Sequence, residues 1–220
     1  MTRIVLVRHG QSTWNAEGRL QGQTMDIPLT AAGLDQAERA AHRVSTLVAA
    51  GTPVLSSDQR RALQTARAVA ERLGSTVRPE PRLREQDLGR MEGHLPGELT
   101  PEPTPEGLDV ADVRWGGGES LADVAARSLA LLSDLARPHD GVVPMSADPE
   151  VASPHRPEPG SSRPPAAVVL VGHGDSLRVM EALLAGRSHR ECDFDLPLGN
   201  GEVIVRDVDL PALVAAHTRR

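Results

Sequence analysis

Two apolar runs in this 220-residue chain each lead into a histidine that is followed by glycine. The first run, Arg3–Val7, leads into Arg8-His9-Gly10, and the second, Ala166–Val171, leads into Gly172-His173-Gly174. Short uninterrupted apolar runs are typical of buried strands, and ligands gather where such strands end in a layered sheet. We therefore predict that the two histidines face one functional edge of a sheet.

Strands and helices alternate along the remainder of the chain. Further short strands are predicted at Pro53–Ser56 and within 76–90, with a last strand at Glu202–Arg206. Thr30 is a predicted N-cap for a helix of about 19 residues that ends at Gly51 and buries Leu34 on one face. Other helices are predicted at about 58–73, 119–137, 176–185 and 211–217. This order predicts an α/β fold, a three-layer α/β/α sandwich with a mostly parallel central sheet and helices on both faces.

One domain is expected to span residues 1–220, because no linker divides the chain. Residues 8–29 form a predicted polar loop. Residues 93–118 are rich in proline, glycine and acids, which predicts a loop or small cap formed by inserted segments. Residues 138–165 hold eight of the 18 prolines and few large apolar side chains, which predicts a solvated, flexible insertion.

Composition excludes several classes of protein. No apolar run approaches the roughly 18 residues that a membrane span needs, and the net charge of −6 disfavours nucleic acid. The single cysteine, Cys192, offers neither a disulfide framework nor a metal cluster, so we expect a cytoplasmic protein without a metal. All 24 basic residues are arginine, so a side-chain cation that holds a phosphate here must be a guanidinium.

The histidine pair suggests phosphoryl transfer. An imidazole that attacks phosphorus needs an unprotonated, accessible nitrogen, and the phosphoryl oxygens need cations around them. Two histidines, several arginines and a helix N-terminus at one sheet edge would supply both requirements.

At the sequence level, residues 6–15 resemble the R-H-G-[EQ]-[ST]-x-x-N signature of the histidine phosphatase superfamily, which includes cofactor-dependent phosphoglycerate mutases and many small-molecule phosphatases. Four further blocks follow in the order typical of that family, and together they cover most of the chain outside 94–115 and 138–165. These blocks are Ser56–Ala66, Arg84–Gly89 with Glu92-Gly93, Gly117–Ser120 and Val169–Gly174.

The resemblance implies a role for each matching residue. His9 would attack phosphorus and carry the phosphoryl group, while Glu85 would act as general acid and base, a task that suits a carboxyl whose pKa is raised. The phosphoryl oxygens would be held by other matching residues, namely Arg8, Asn15, Arg61, His173 and the backbone N–H of Gly174. The substrate would contact Gln21 and Gly22, with Trp115 either walling the pocket or packing in the core.

The resemblance leaves the fate of the phosphoryl group open. The block around His173 looks like the mutase form, except that Asp175 stands where asparagine is usual. Residues 94–115, however, are short and acidic, with Arg114 as their only arginine, whereas mutases resemble one another in a long basic insertion. We therefore expect a phosphatase rather than a mutase, acting on a sugar phosphate or sugar-acid phosphate.

Two alternatives stay open at this point. A mutase would need 2,3-bisphosphoglycerate as a cofactor, whereas the phosphatase would need none. A catalytically silent phosphate-binding pseudoenzyme is the alternative of another class, although the family's catalytic positions are filled here. The expected partner is a small phosphomonoester, without nucleic acid or membrane, and the chain is expected to be a monomer or homodimer.

Overall fold

A computed structural model describes residues 1–100, 103–137 and 166–219 of the chain. The predicted flexible insertion at 138–165 lies outside the described residues. The strands are β1 (Thr2–Arg8), β2 (Val54–Ser56), β3 (Val77–Pro79), β4 (Ala167–Gly172) and β5 (Val203–Val208). The α-helices are α1 (Thr13–Glu17), α2 (Ala31–Ser45), α3 (Arg60–Leu73), α4 (Leu121–Ala136), α5 (Gly174–Leu184) and α6 (Leu210–Thr218).

The strands form one sheet in the order β3-β2-β4-β1-β5, in which only β5 is antiparallel to its neighbour. Successive side chains of a strand point to opposite faces, so β1 divides its apolar residues between two cores. Ile4 and Leu6 pack with α4, α5 and α6, whereas Val5 and Val7 pack with α2 and α3. The predicted three-layer α/β fold with a mostly parallel sheet is confirmed.

Several predicted boundaries were wrong. Helix α2 begins after the Thr30 cap as predicted, but it ends at Ser45, and Leu34 lies on its exposed face. Its buried face is formed by Gly33, Ala37, Ala40, Ala41 and Val44. The predicted polar loop at 8–29 contains the short helix α1, which begins at a capping box formed by Ser12 and Asn15. Helix α5 begins at Gly174, two residues earlier than predicted.

The segment predicted as a loop or cap contains only short 3₁₀ turns among its described residues. These turns are Pro96–Glu98, Val110–Asp112 and Trp115–Gly117. Asp112 accepts hydrogen bonds from His189 and Arg190, which fastens this segment to the turn after α5. The cap is therefore anchored to the core by charged side chains.

Two glycines bring the loop after β1 against the start of α2. A Cβ added to Gly33 would lie 2.0 Å from the Gln11 carbonyl oxygen, and one added to Gly10 would lie 2.1 Å from the Gly33 oxygen. Both atoms in contact are backbone, which cannot rotate away. The close approach fixes the loop that carries His9.

We expect Gly33→Ala to destabilise the protein by about 2 kcal/mol, as measured by chemical denaturation. Alanine in a helix interior normally stabilises by up to about 1 kcal/mol relative to glycine, so the sign of the change tests the close contact. Gly97→Ala is the matched control, because no atom lies within 4 Å of an added Cβ there. A neutral or stabilising Gly33→Ala would contradict the packing described here.

Candidate active site

The two histidines meet where β1 and β4 end side by side. Arg8 pairs with Gly172 in the parallel register, and the His9 N–H donates to the Gly172 carbonyl over 3.0 Å. The two imidazole rings lie with their centroids 5.0 Å apart at an interplanar angle of 61°. Both side chains are buried. The edge-on arrangement places two ring systems around one small volume at the end of the sheet.

His9 has the tautomer and charge that a nucleophile needs. Its Nδ1 lies 2.6 Å from the Gly10 carbonyl oxygen, which can only accept, so Nδ1 carries the proton and Nε2 keeps its lone pair. Burial, together with the positive charges of Arg61 and Arg8, holds the pKa of His9 well below its usual value of 6.5. The ring is therefore neutral at physiological pH, with Nε2 ready to attack.

His173 is held from the opposite side by the segment after β2. Its Nε2 lies 2.8 Å from the Ser57 hydroxyl oxygen, and its Nδ1 is buried without a partner. A hydroxyl proton donated to Nε2 would place the ring proton on Nδ1. Burial and the neighbouring Arg61 hold the pKa of His173 well below 6.5, so this ring is also neutral. Nδ1–H can then donate to an oxygen beside His9.

Arg8 and Arg61 bring the positive charge. Arg61 is fully buried and donates to the carbonyl oxygens of Gly22 and Thr24, each over 2.8 Å. Burial lowers the pKa of Arg61 to about 10, so the guanidinium is still charged at neutral pH. Arg8 donates to the Leu198 carbonyl over 2.5 Å. Arg60, by contrast, is exposed, which agrees with the choice of Arg61 from the sequence.

The buried side-chain nitrogen and oxygen atoms without hydrogen-bond partners, among the residues that the structure describes, all belong to this neighbourhood. They are Arg8 Nε, Arg61 Nε, His173 Nδ1, Ser176 Oγ and Arg178 Nε. An unpaired buried donor is costly and rare in folded proteins, and four such nitrogens together are typical of a site built for an anion. Guanidinium and imidazole donors suit the oxygens of a phosphoryl group.

Glu85 approaches the same place from an irregular segment after β3. Its carboxylate accepts hydrogen bonds from the backbone N–H of Gln86 at 3.0 Å and of Ser176 at 2.9 Å, with a longer one from Asp175. The carboxylate therefore lies on the N-terminus of α5, whose dipole favours a negative charge. Oε2 lies 3.6 Å from the position of a Cβ on Gly174, which is an ordinary van der Waals distance, so the acid packs against the first residue of α5.

A second carboxyl group lies beside Glu85. Asp175 belongs to the first turn of α5, and its Oδ1 is 3.3 Å from Arg178 Nη1. Burial and the negative charge of Glu85 raise the pKa of Asp175 to about 6. The site thus contains two acids with different surroundings, one held by backbone donors and one by an arginine.

The remaining predicted phosphate ligands lie close to this centre. Asn15 uses Oδ1 to accept from Ser12 and from the Asn200 amide, so its own amide nitrogen is the group that could donate to a phosphate. Gly174 is the first residue of α5, but the first-turn hydrogen bonds from Asp175 and Ser176 go to Glu85. The helix N-terminus therefore supports the acid, and a bond from Gly174 to phosphate stays a prediction.

The predicted substrate contacts fall in two places. The Gly22 carbonyl accepts from Arg61, which places Gly22 beside the phosphate site, while Gln21 accepts from the Ser12 hydroxyl over 2.7 Å and its contact with substrate stays a prediction. Trp115 lines a cavity of about 670 Å³, together with residues of the adjacent loops: Leu20, Arg90, Met91, His94, Pro96, Leu99 and Thr100. Leu20 directly precedes Gln21 in the chain, but, apart from Trp115, the predicted site residues are not among those that line this cavity.

Sequence reasoning missed three supporting side chains. Gln59 is buried, accepts from the Glu85 N–H, and donates to the same carbonyl oxygens of Gly22 and Thr24 that Arg61 contacts. Arg127 donates to the Glu85 carbonyl, and Ser57 contacts His173. Ser57 and Gln59 lie within the second matching block, but only the folded chain shows which atoms they reach.

Arg178 is a fourth missed residue, and it had a usable sequence signal. It lies four positions after Gly174, so the two share a face of α5 one turn apart. The other acids near the site have structural partners instead: Glu92 accepts from Gln23, Thr24 and Leu88, and Asp87 accepts from Gly89.

Within the described ranges, no three histidine, cysteine, aspartate or glutamate side chains converge as metal ligands would. Nor does any described helix have the length and apolar character needed to cross a bilayer. The arrangement has the parts of a phosphoryl-transfer site: a neutral imidazole, unpaired cationic donors and a carboxyl group at a helix N-terminus.

Because His9 and His173 are buried and neutral, the free energy of unfolding should fall as the pH drops below 6.5. A neutral buried histidine contributes stability that is complete above the unfolded pKa, and each costs about 1.4 kcal/mol per pH unit below it. The raised pKa of Asp175 acts in the opposite sense below about pH 6.

Urea denaturation of the wild type and of His173→Gln between pH 6.5 and 5 isolates one histidine. We expect the slope of stability against pH to be smaller in the variant by about 1.4 kcal/mol per pH unit. His42→Gln, at an exposed position outside the site, is the matched control for the loss of one imidazole. Equal slopes in wild type and His173→Gln would show that His173 takes up a proton without unfolding.

Comparison with known proteins identifies the class. The model of the histidine phosphatase superfamily (branch 1) matches residues 4–146, and the chain belongs to this family. It is 40% identical over 191 residues to the glucosyl-3-phosphoglycerate phosphatase of Mycolicibacterium vanbaalenii, and the aligned region covers 84% of this chain and 74% of the relative. It is also 40% identical over 151 residues to a probable phosphoglycerate mutase of Enterobacter sp. strain 638, covering 66% and 68%.

Solved structures agree with the sequence relatives. A mycobacterial glucosyl-3-phosphoglycerate phosphatase in complex with VO3 superposes with a TM-score of 0.70 at 31% identity, covering 96% of this chain and 94% of that one. The resemblance inferred from the five blocks is confirmed, and the chain is an enzyme of the histidine phosphatase type. Its relatives carry both phosphatase and mutase names.

Proposed function

We propose that the enzyme hydrolyses a small phosphomonoester through a phosphohistidine on His9, with water as the final acceptor. The observation that carries the proposal is the group of unpaired buried donors on Arg8, Arg61 and His173 around a neutral His9. In the first step His9 Nε2 attacks phosphorus, and the bond from phosphorus to the leaving oxygen breaks. Glu85 gives that oxygen a proton.

The second step returns the enzyme to its starting state. Glu85, now a carboxylate held by backbone N–H groups, takes a proton from water as the water oxygen attacks phosphorus. The N–P bond breaks, the electron pair returns to Nε2, and inorganic phosphate leaves. Arg8, Arg61 and the Nδ1–H of His173 balance the charge of the phosphoryl oxygens in both steps. No cofactor is needed.

We propose a phosphorylated sugar acid as the substrate, of the phosphoglycerate type that the names of the relatives share. The cavity beside Trp115 has room for a further part of a larger substrate, and its walls are apolar and aromatic as well as polar. A cytoplasmic location, proposed from the composition, suits such a metabolite.

The mutase is the second candidate, and the probable mutases among the relatives favour it. A mutase must keep water from the phosphohistidine until its product binds again. The described cap residues are short 3₁₀ turns, and residues 94–115 are acidic with a single arginine, so they offer little cover or charge for a bisphosphate. Hydrolysis is therefore the proposal that the site supports better.

A phosphate-release screen over a panel of phosphomonoesters tests this proposal. The panel should contain 3-phosphoglycerate with and without 2,3-bisphosphoglycerate, and each reaction should be followed for both phosphate and isomerised product. We expect phosphate release that needs no bisphosphate and continues in a metal chelator. Isomerisation without phosphate release would establish the mutase, and binding without either reaction would establish a pseudoenzyme.

A further inference from the structure

Arg178 lies beside the phosphate site, and some of its hydrogen-bond donors have no acceptor among the described residues. Its side chain is only 16% exposed. A Cβ on Gly174 would be 3.3 Å from Arg178 Nη1 and 3.6 Å from Arg8 Cζ, so two guanidinium groups flank the same glycine. Burial chiefly lowers the pKa of Arg8, and the charge of Arg178 lowers it further, so the two cations lie within electrostatic reach of each other. Arg178 thus adds a third positive charge at the edge of the phosphoryl site.

The bonding of Arg178 differs from that of the structural arginines. Arg82, for comparison, donates to both carboxylate oxygens of Glu80 and also to Asp134. Arg178 has a single 3.3 Å contact with Asp175, and its Nε is buried without a partner. A guanidinium that is withdrawn from water in this way lacks the planar, two-point partner that suits its geometry.

We propose that Arg178 binds a carboxylate of the leaving group, so that the enzyme selects phosphorylated hydroxy acids over phosphorylated polyols. The inference rests on the proposed function, because it assigns a specificity residue to that same site. A carboxylate has the two coplanar oxygens that the guanidinium fork accepts. Arg8 and Arg61, which have their own unpaired nitrogens, serve the phosphoryl group.

Asp175 explains why a carboxylate fits better than a second phosphate. Its carboxyl group accepts from Arg178 while its backbone N–H donates to Glu85, so the carboxyl group competes with any anion that approaches Arg178. The repulsion grows with the charge of the incoming group, so a dianionic phosphate is penalised more than a carboxylate with one negative charge. Arg178 and Asp175 together therefore favour a leaving group that carries one negative charge over one that carries two.

The test uses two substrates that differ at one carbon: 3-phosphoglycerate and glycerol 3-phosphate, in which the carboxylate is replaced by a hydroxymethyl group. We define selectivity as the ratio of their kcat/KM values. We expect the wild type to prefer 3-phosphoglycerate and Arg178→Met to lose about tenfold or more of that preference, as for a lost charge-assisted hydrogen bond. Exposed Arg67→Met is the matched control on another helix and should keep the wild-type ratio.

Asp175→Asn provides a second readout that does not remove the buried arginine. Loss of the competing negative charge should raise the selectivity above the wild-type value. This measurement tests the role of Arg178 even if Arg178→Met does not fold. The inference is overturned if the wild type shows no preference, if folded Arg178→Met keeps the wild-type ratio, or if Asp175→Asn fails to raise it. A wild type that releases phosphate from no monoester would instead overturn the proposed function itself.

Discussion

His9→Ala should abolish phosphate release, with a fall in kcat on the order of 10⁵-fold, as expected for the loss of a covalent nucleophile. The neutral ring presents Nε2 because Nδ1–H is bound to the Gly10 carbonyl, and none of the described neighbours offers another unprotonated nitrogen in the same position. His173 Nε2 is occupied by Ser57. Initial rates over the phosphomonoester panel measure the effect.

The fold of the variant must be checked, because His9 is almost fully buried. Circular dichroism and a thermal melt suffice, and exposed His42→Ala serves as the matched histidine control with full activity. Activity of folded His9→Ala within tenfold of the wild type would refute the nucleophile.

Glu85→Gln should lower kcat on alkyl phosphomonoesters by about 10²–10⁴-fold, because glutamine has the same shape but cannot protonate the leaving oxygen. The loss should depend on the leaving group. With p-nitrophenyl phosphate, whose leaving group departs without a proton, the first step should survive and the second should be slow. Stopped-flow measurement should then show a burst of about one nitrophenolate per active site.

The burst distinguishes a general acid from a residue that only supports the fold. Glu98→Gln, in an exposed turn of the cap, is the matched control and should behave as the wild type on both substrates. An equal loss of activity on alkyl and nitrophenyl esters, without a burst, would contradict the role assigned to Glu85.

The ends of β1 and β4 could be predicted from the sequence, because each strand contains an uninterrupted apolar run and each run stops just before a histidine-glycine pair. Apolar runs fully buried on both faces belong in the middle of a parallel sheet, and β1 and β4 are indeed neighbours. Adjacent parallel strands bring their ends together, which places His9 beside His173. The family resemblance then picked out Arg61 and Glu85, whose positions no periodicity encodes.

The supporting interactions could not be predicted in the same way. Gln59 bonds to residues 26 positions after it and 35–37 positions before it, and such partners follow from packing rather than from local pattern. Helix α2 was predicted too long because the apolar spacing continues through Val48, although the helix ends at Ser45 with Thr46 as its cap. Leu34 fits the helical spacing of the apolar residues but faces solvent. It lies in the first turn of α2, where too few residues precede it for the spacing to show which face is buried.

Trapping the covalent intermediate tests most directly whether the phosphoryl group passes through His9. Glu85→Gln should be mixed with p-nitrophenyl phosphate, quenched in alkali, digested and analysed by mass spectrometry for a phosphorylated peptide. We predict one phosphoryl group on the peptide containing His9, stable in alkali and lost in acid, and none in the His9→Ala, Glu85→Gln double variant. Turnover by the wild type without any label at His9, or label at another residue, would contradict the mechanism.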